Sequence, residues 1–567
     1  MPTGKKSPRY KGIVPRIPVP CEGLQVNFCR NPECKNYGIP ASADYRKPLA
    51  GGKYHRSGGS RRVTGLTCKE CEQNNPLKNN TELILERNRL AAYLYDQPEE
   101  ATCPVVACPN HDVPVSVGRR AYVSNGRTGA ESQVYICRAC KKRFCVRTKA
   151  AFHQKRPDKN KLFFLNLVNH APFKRLCEEA ESGGGTLYKK IDFIHKQCVA
   201  FAGEIERRFL DGAQIGFHRL YLSTDAQEYS TNWRVHEDKR NVKLTAVGTA
   251  DNDSGFVFGM HLNFDPGAKH AVAEVEAAPD MVKPEAFRRH CRYWLNNDYD
   301  AAKERSDKRA KQRERATTKV PNTPIEMIRA EAKEAGRRFN VESTEEMTKY
   351  LQLPENGVQV KKDYTCFAHF LFLKKLFGDN YGKLRFFFDY DSGIRGACLA
   401  VFQPEIDARR VDAAYVSLTY GLTKPVKLAL LRDARKAFRK VAAANPGLSD
   451  SELKTHLMIE QIAKKESDLF WGDWWIRHPW PDMNEPQKMT SIQTNIGGFT
   501  PVHLANFLKR ASLHGINRFF NLVRRRLQAL DRPTASASTQ RREYQIYGLY
   551  NPVYIAHSDD FGHLNRD

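Results

Sequence analysis

The chain has 567 residues, 41% of them hydrophobic, with 91 Lys and Arg against 64 Asp and Glu and a formal net charge of +27. That length and apolar content exclude a disordered protein and allow several domains with at least one sizeable core. The charge calls for a polyanionic partner, nucleic acid before membrane. No run approaches the roughly 18 apolar residues of a spanning helix, so no membrane partner is expected.

Residues 1–20, MPTGKKSPRYKGIVPRIPVP, form a Pro-rich basic arm without the apolar stretch of a signal peptide, which points to a reducing cytoplasm. Paired cysteines there read as zinc ligands rather than disulfides. Eight of the fifteen cysteines form one pattern written twice. Cys29-x4-Cys34 is followed by Cys68-x2-Cys71, and Cys103-x4-Cys108 by Cys137-x2-Cys140, with 33 and 28 residues between the pairs. The surrounding text repeats as well, CRNPECKNYG against CPVVACPNHD and TGLTCKEC against QVYICRAC. Each unit is too short to fold on a hydrophobic core, so a metal must supply the missing stability, about 10–16 kcal/mol per structural zinc. Four thiolates leave no open coordination position, which makes both Zn2+ sites structural. His55 and His111 lie nearby, but the four-cysteine sets are complete without them. The other seven cysteines, Cys21, Cys145 and Cys398 among them, lack a partner spacing and read as ordinary buried thiols.

The two zinc ribbons span residues 21–72 and 103–146. Between them residues 73–102 form a helical connector carrying Leu83, Leu85, Leu90 and Leu94. A basic stretch begins at Lys141, Lys142 and Arg143 and runs through Arg147, Lys149, Lys155, Arg156 and Lys159 to Lys161, a pattern suited to DNA phosphates. Residues 160–212 read as a helix, KLFFLNLVNHAPFKRLCEEAE, a break at SGGG, and a longer helix offering Lys189, Lys190 and Lys196. The pattern fits a helix-turn-helix DNA-binding module or a plain helical hairpin.

After residue 216 the period changes to that of strands: HRLYLSTDA, NVKLTAVGTA and GFVFGMHLNF, separated by polar turns. Residues 266–362 are charged and helix-favouring, an inserted helical subdomain too polar to be central. A helix, CFAHFLFLKKLFG, leads into the strand LRFFFDYDSG, and VDAAYVSLTYG is a further strand. Three antiparallel strands, a helix, a strand and a helical tail is the element order of an RNase H-like domain. The fold class is therefore multidomain α/β (α+β): two zinc ribbons, a helical module, and an RNase H-like mixed-sheet core over 216–265 and 363–530 with a helical insertion. Residues 531–567 form a C-terminal tail.

Asp225 ends the first strand of that core and Asp389 the fourth. In an RNase H-like sheet those strands are neighbours, so both carboxylates would face one site. Such a pair suits two divalent ions about 3.5–4 Å apart, Mg2+ or Mn2+. Asp is also common in the turns that end strands, which is the plainer account of each residue alone. Asp391 rivals Asp389, although the following Ser392 and Gly393 place it in a turn.

The segments STDAQEYSTNW, FFFDYDSGIRGACLAVF, WIRHPWPDMNEPQK and above all LHGINRFFNLVRRRLQALDRPTASAS followed by YGLYNPVY resemble a group of bacterial insertion-element transposases with N-terminal zinc ribbons. The resemblance runs from Cys29 to about Tyr554. It implies an acidic-triad enzyme of the RNase H-like superfamily that cleaves double-stranded DNA at element ends and transfers the 3′-hydroxyl into target DNA. It further implies assembly of copies of the chain around two DNA ends, in a bacterial, nucleoid-associated setting. The first two acids carry over onto Asp225 and Asp389, but the third falls on Asn517. That residue lies on an apolar-striped helix with Leu513, Ile516, Phe519, Phe520, Val523, Leu527 and Leu530, and shares a face with Asn521, Arg524 and Gln528. An amide brings no negative charge. Three explanations stand: an inactivating substitution, a natural loss of activity that leaves a silent DNA-binding protein, or a third acid among Glu460, Glu466 and Asp468. Arg524, Arg525 and Arg526 would grip phosphates beside the cleaved bond. Trp471, Trp474, Trp475 and Trp480 read first as core packing, with base stacking as the alternative.

Overall fold

The computed structural model describes residues 17–527 except 43–51, 58–63, 96–99, 130–131, 147–150, 152–153, 211–216, 232–237, 239, 269–289, 316–320, 339 and 420. Most of the basic arm, the tail after 527 with its DRPTASAS and YGLYNPVY text, and Arg147, Lys149, Gln528 and Leu530 lie outside the described residues.

In each cysteine unit the second pair sits on a three-stranded antiparallel sheet. β1 (Tyr54–Ser57), β2 (Gly65–Cys68) and β3 (Asn74–Pro76) form the first, and β4 (Tyr122–Arg127), β5 (Gln133–Cys137) and β6 (Arg143–Val146) repeat it. Cys68 and Cys137 end the two middle strands, and the chain must reverse within the Cys-x2-Cys knuckle. The residue after each knuckle accordingly takes a left-handed backbone, Glu72 at φ 58° and Lys141 at φ 60°. Their N–H groups return to Cys68 O at 3.0 Å and Cys137 O at 2.9 Å.

The connector forms α1 (Asn80–Ala91), whose first N–H groups, on Thr81 and Glu82, are capped by the Asn79 side chain. Leu83, Leu90 and Leu94 are buried as their spacing predicts, whereas Leu85 is exposed. The helical module is α2 (Asn160–Leu167), α3 (Phe173–Glu179) and α4 (Gly184–Leu210). The first predicted helix is thus two, because Pro172 has no N–H and holds an extended backbone at the start of α3. α4 buries Leu187, Ile191, Ile194 and Cys198 against Phe163, Leu167 and Leu176, and its far end reaches the main core through Phe209.

The central sheet begins with β7 (Phe217–Thr231), β8 (Val242–Asp251) and β9 (Val257–Leu262), an antiparallel meander on the three strand-period segments. β10 (Phe264–Asp265), α5 (Asn296–Arg315), α6 (Pro324–Gly336) and β11 (Val358–Gln359) follow, with β11 pairing back onto β10. Next come α7 (Lys362–Phe377), β12 (Tyr381–Phe388), α8 (Ser392–Val401), α9 (Gln403–Asp407), β13 (Val411–Leu418), α10 (Lys424–Ala444) and α11 (Asp450–Ala463). β14 (Glu466–Ser467), β15 (Trp474–Arg477), β16 (Lys488–Ile492), α12 (Pro501–Leu508) and α13 (His514–Arg526) close the described chain. The eight strands are ordered β14-β15-β16-β13-β12-β7-β8-β9, so the first five in chain order, β7, β8, β9, β12 and β13, lie 3-2-1-4-5. β12 is parallel to both β7 and β13, and β16 is antiparallel to β13.

Two cores cover the two faces of this sheet. α7 is buried along most of its length, with its charged residues confined to the two ends, and it packs with Leu220, Leu222, Phe386 and Phe388 on one face. α12 and α13 pack with Tyr221, Phe387, Ala414 and Val416 on the other.

The segment 266–362 is not a peripheral insertion. Tyr293, Leu295, Ile325, Ile328, Val358 and Val360 belong to the main core, and only α5 has the polar composition that dominates the segment's average. A capping box between Thr323 and Glu326 starts α6 and sets its apolar side inward.

Candidate functional site

The eight cysteines form two groups in which all ligand sulfurs lie within 4.8 Å of one another: Cys29, Cys34, Cys68 and Cys71, then Cys103, Cys108, Cys137 and Cys140. Sγ–Sγ distances are 3.5 Å for Cys29 and Cys71, 3.8 Å for Cys34 and Cys68, 3.3 Å for Cys103 and Cys140, and 3.6 Å for Cys108 and Cys137. These are far beyond a disulfide and near the roughly 3.8 Å edge of a tetrahedron with metal–sulfur bonds of about 2.3 Å, so the donor set fits structural zinc. Residues around the sulfurs repeat too. Tyr54 Oη accepts from Cys29 N and donates to the Asn36 and Ile39 carbonyls, as Tyr122 Oη accepts from Cys103 N and donates to those of Asn110 and Val113. Asn36 Nδ2 donates to Cys68 Sγ at 3.4 Å and Asn110 Nδ2 to Cys137 Sγ at 3.3 Å. Sequence reasoning missed these four; their signal was position, each Asn two residues after its Cys-x4-Cys pair. His111 Nδ1 is held by Cys103 O at 2.7 Å and His55 is exposed, so neither replaces a thiolate.

The two ribbons differ in what surrounds them. Val26 and Phe28 of the first belong to the main core, and Tyr37 Oη donates to Leu399 O on α8 at 2.8 Å. Buried Arg30 pairs with Glu342 and lies over the Phe367 ring of α7, while buried Lys78 pairs with Glu342 at 2.9 Å and Asp363 at 2.8 Å. Among the described residues the apolar cluster of the second ribbon, by contrast, draws on its own residues 103–144. Cys145 is exposed rather than buried, on the outer strand β6.

Asp225 and Asp389 stand side by side. Phe388 pairs with Thr224 at the end of the parallel β12–β7 ladder, so Asp389, just past the end of β12, lies beside Asp225. β7 itself runs on to Thr231 along β8, so Asp225 stands inside its strand rather than ending it as the sequence suggests. Side-chain alternation puts Tyr221, Ser223 and Asp225 on the same face as Phe387 and Asp389. Both are half-buried. Each accepts one hydrogen bond from the following backbone N–H, at 2.7 Å from Ala226 and 2.9 Å from Tyr390. Burial and then the charge of Asp389 push the Asp225 carboxyl up to about 8. Burial and the charge of Asp391 raise Asp389 to about 6. Two desolvated like charges on one face are a standing repulsion, which a divalent cation between them would relieve.

Asp391 is not a rival of Asp389. Its Oδ1 caps α8, accepting from Gly393 N at 2.8 Å and Ile394 N at 3.0 Å, and its Oδ2 takes Lys362 Nζ at 2.7 Å and Thr344 Oγ1 at 2.9 Å. Against the effect of burial, Lys362 holds its carboxyl below the ordinary range. Glu331 on α6, in the segment read as peripheral, is the unforeseen acid nearby: although the residue is exposed, crowding by the surrounding protein and then the charges of Asp389 and Asp391 push its carboxyl up.

α13 crosses this face. Leu513, Ile516, Phe519, Phe520, Val523 and Leu527 are buried as the stripe predicts. Ile516 N donates to Ser223 Oγ at 3.0 Å. Gly248 pairs with Asp225, and a Cβ there would meet Ile516 Cδ1 at 2.8 Å, so a glycine lets the helix approach. About two turns further on, Gln227 Oε1 accepts from Arg524 Nε at 2.9 Å, in the amide orientation that also lets Gln227 donate to Tyr229 Oη. The helix thus passes Asp225 between its Ile516 and Arg524 contacts, and half-buried Asn517 lies in that interval, its side chain making no hydrogen bond to a described residue.

The other acids considered for the third position have structural work or stand apart. Asp468 is buried, and its Oδ1 accepts from the N–H groups of Phe470, Trp471 and Gly472 to shape the β14–β15 loop. Glu460 is exposed and pairs with His456 on α11, and Glu466 is exposed on the edge strand β14. The tryptophans divide: Trp475 is buried and stacked on Tyr415 at 5.9 Å, whereas Trp471 and Trp474 are exposed.

Among the basic residues, Lys141, Lys142, Arg143, Lys189, Arg524 and Arg525 are exposed. Lys190 is not available to a groove. It is buried, and its Nζ donates to Gln154 Oε1, Arg156 O and Asn160 Oδ1, because position 190 falls on the inward side of α4 with Leu187 and Ile191. Arg526 is tied to the helical module through Asn169 Oδ1 at 2.7 Å. No described helix is long and apolar enough to cross a membrane. No family model matches this chain, and no curated protein shows significant similarity to it.

Proposed function

We propose that the chain is a DNA transposase whose RNase H-like core cuts element ends and joins them to target DNA by divalent-metal-dependent phosphoryl transfer. The observation that carries this is the Asp225–Asp389 pair where the ladder between the parallel strands β7 and β12 ends, in a 3-2-1-4-5 sheet. Neighbouring first and fourth strands, and a later helix that runs from Asn517 into the arginine cluster, are what the resemblance to insertion-element transposases implies. Two carboxylates with uncommitted oxygens and raised proton affinity fit Mg2+ or Mn2+. Bound there, such ions supply Lewis acidity at the phosphodiester and at the attacking oxygen. Asp225 and Asp389 hold that charge in place, and both must lose their protons to do so. Arg524, oriented by Gln227 and by Asn521 Oδ1 at 2.7 Å, presents a guanidinium to a phosphate beside them. The zinc ribbons and the exposed cations Lys141, Lys142, Arg143 and Lys189 hold duplex DNA, and the joining of two ends calls for more than one copy of the chain.

A second reading has its own observation. Asn517 presents a neutral amide where the resemblance calls for an acid, which favours a catalytically silent, transposase-derived DNA-binding protein. Cleavage and strand transfer on element-end duplexes with Mg2+ or Mn2+ separate the two. Asp225→Ala is expected to abolish cleavage and leave binding intact; undiminished cleavage by that variant rejects the catalytic assignment. Activity that appears only in Asn517→Asp establishes the silent reading for the chain as it stands. Cutting without joining points instead to a structure-specific nuclease.

A further inference from the structure

Helix α10 is a strongly one-sided surface that neither the metal sites nor the carboxylate pair uses. Across Lys424–Ala444 it buries no residue. It carries Lys424, Lys427, Arg432, Arg435, Lys436, Arg439 and Lys440 against a single acid, Asp433. At 100° per residue Arg432, Arg435, Lys436, Arg439 and Lys440 fall on one side, and Leu430, Ala434, Phe438 and Val441 on the other. The apolar side is half-buried where the helix lies against α11, and the five cations are all exposed. None of them forms an ion pair among the described residues. They repel one another instead, since Arg432 and Lys436, Arg435 and Arg439, and Lys436 and Lys440 stand four residues apart, a spacing at which like charges destabilise a helix. A fold that leaves this repulsion uncompensated is built for a polyanion.

The helix is also placed for one. It begins six residues after β13, whose carboxyl end lies on the same edge of the sheet as Asp389, since β13 runs parallel to β12 with Tyr415 beside Phe388. In open α/β sheets that edge is where ligands bind. We propose that the basic face of α10 holds the sugar-phosphate backbone of duplex DNA, independently of sequence, beside the Asp225–Asp389 site; this rests on the reading of the chain as a DNA-processing protein. Regular exposed cations without base-reading partners suit the backbone rather than sequence readout.

The test is equilibrium binding of the full chain to random-sequence duplex over a salt series, comparing it with a variant carrying Arg432→Gln, Arg435→Gln, Lys436→Gln, Arg439→Gln and Lys440→Gln. Glutamine keeps helix propensity, and the positions are exposed, so an unchanged circular dichroism spectrum is expected. Each phosphate that is no longer neutralised lowers the slope of log K against log salt by about 0.9, so releasing three to five phosphates predicts a fall of roughly 3–4.5 and at least tenfold weaker binding at low salt. An unchanged slope and affinity overturn the proposal. So does a variant whose only change is a smaller assembly by light scattering, which assigns the helix to a second copy of the chain. The binding assay does not depend on cleavage, so a chain that binds through α10 but cuts no element-end duplex in the separate cleavage assay loses the transposase reading alone. If the unmodified chain binds no duplex, both readings fall.

Discussion

Losing the two metals should have unequal consequences. Cys68→Ser removes one thiolate from the first site and Cys137→Ser its counterpart from the second. Structural zinc supplies about 10–16 kcal/mol, as much as the whole stability of an ordinary domain at about 5–15 kcal/mol, so each ribbon should unfold without its ion. Among the described residues the first has Ile17, Ala41, Tyr54, Leu66, Leu77 and its cysteines as a core of its own. Its unfolding also takes Val26 and Phe28 out of the main core and removes Arg30 and Lys78 from Glu342 and Asp363. Stranding a buried charge costs about 3–5 kcal/mol. At about 2 °C per kcal/mol for a large domain, the core transition of Cys68→Ser should fall by roughly 6–10 °C. Cys137→Ser should leave that transition unmoved, since the second ribbon packs on itself. Differential scanning calorimetry with zinc content measured on each variant decides the matter. Equal shifts in the two variants, or none in either, refute the division between a ribbon that braces the core and one that stands apart.

Other outcomes follow from the same structure. Without added magnesium, the contribution of Asp225 to stability should decline as pH rises from about 4 to about 8, because the folded carboxyl, pushed up to about 8, keeps a proton that the unfolded chain has released. Asp225→Asn should remove that contribution in urea titrations at pH 5 and 8, and a pH profile unaltered by the substitution contradicts a raised Asp225 carboxyl. Lys190→Met leaves three acceptors without their donor and should cost about 1–3 kcal/mol in denaturant melts with no loss of DNA affinity. Weaker DNA binding at full stability would return Lys190 to the DNA surface. Tyr54→Phe and Tyr122→Phe should each weaken zinc binding about 10–100-fold in competition with a chelator, since both hydroxyls order the loop that carries the first cysteine pair. Equal zinc affinity in both variants would reduce the tyrosines to packing.

Much of this site is legible in local pattern. Cysteine spacing is a local code, because a knuckle closes within a few residues whatever surrounds it, and so both ligand sets can be read directly. Strand period likewise locates β7, β8, β9, β12 and β13, and the stripe from Leu513 to Leu527 locates α13. Lys190 escapes such reading for the opposite reason. It looks like Lys189 along the chain, and only the side of α4 that meets α2 tells the two apart. Glu331 is hidden because its segment averages as polar, while Ile325 and Ile328 on the same helix turn that segment into the core.

The amino-acid sequence by itself determined the two four-cysteine units, the strands β7, β8, β9, β12 and β13 and the helices α1, α4, α7 and α13, since metal spacing and side-chain period are properties of neighbouring residues. Tertiary structure alone decided that Asp225 meets Asp389 while Asp391 caps a helix, that the first ribbon is bound into the core and the second is not, and that α10 leaves its charge facing outward. Those outcomes depend on strand register and on buried charge pairs between residues hundreds of positions apart, such as Arg30 with Glu342 and Lys78 with Asp363. Such pairings form only when the whole chain is packed, and they leave no periodic trace in the sequence.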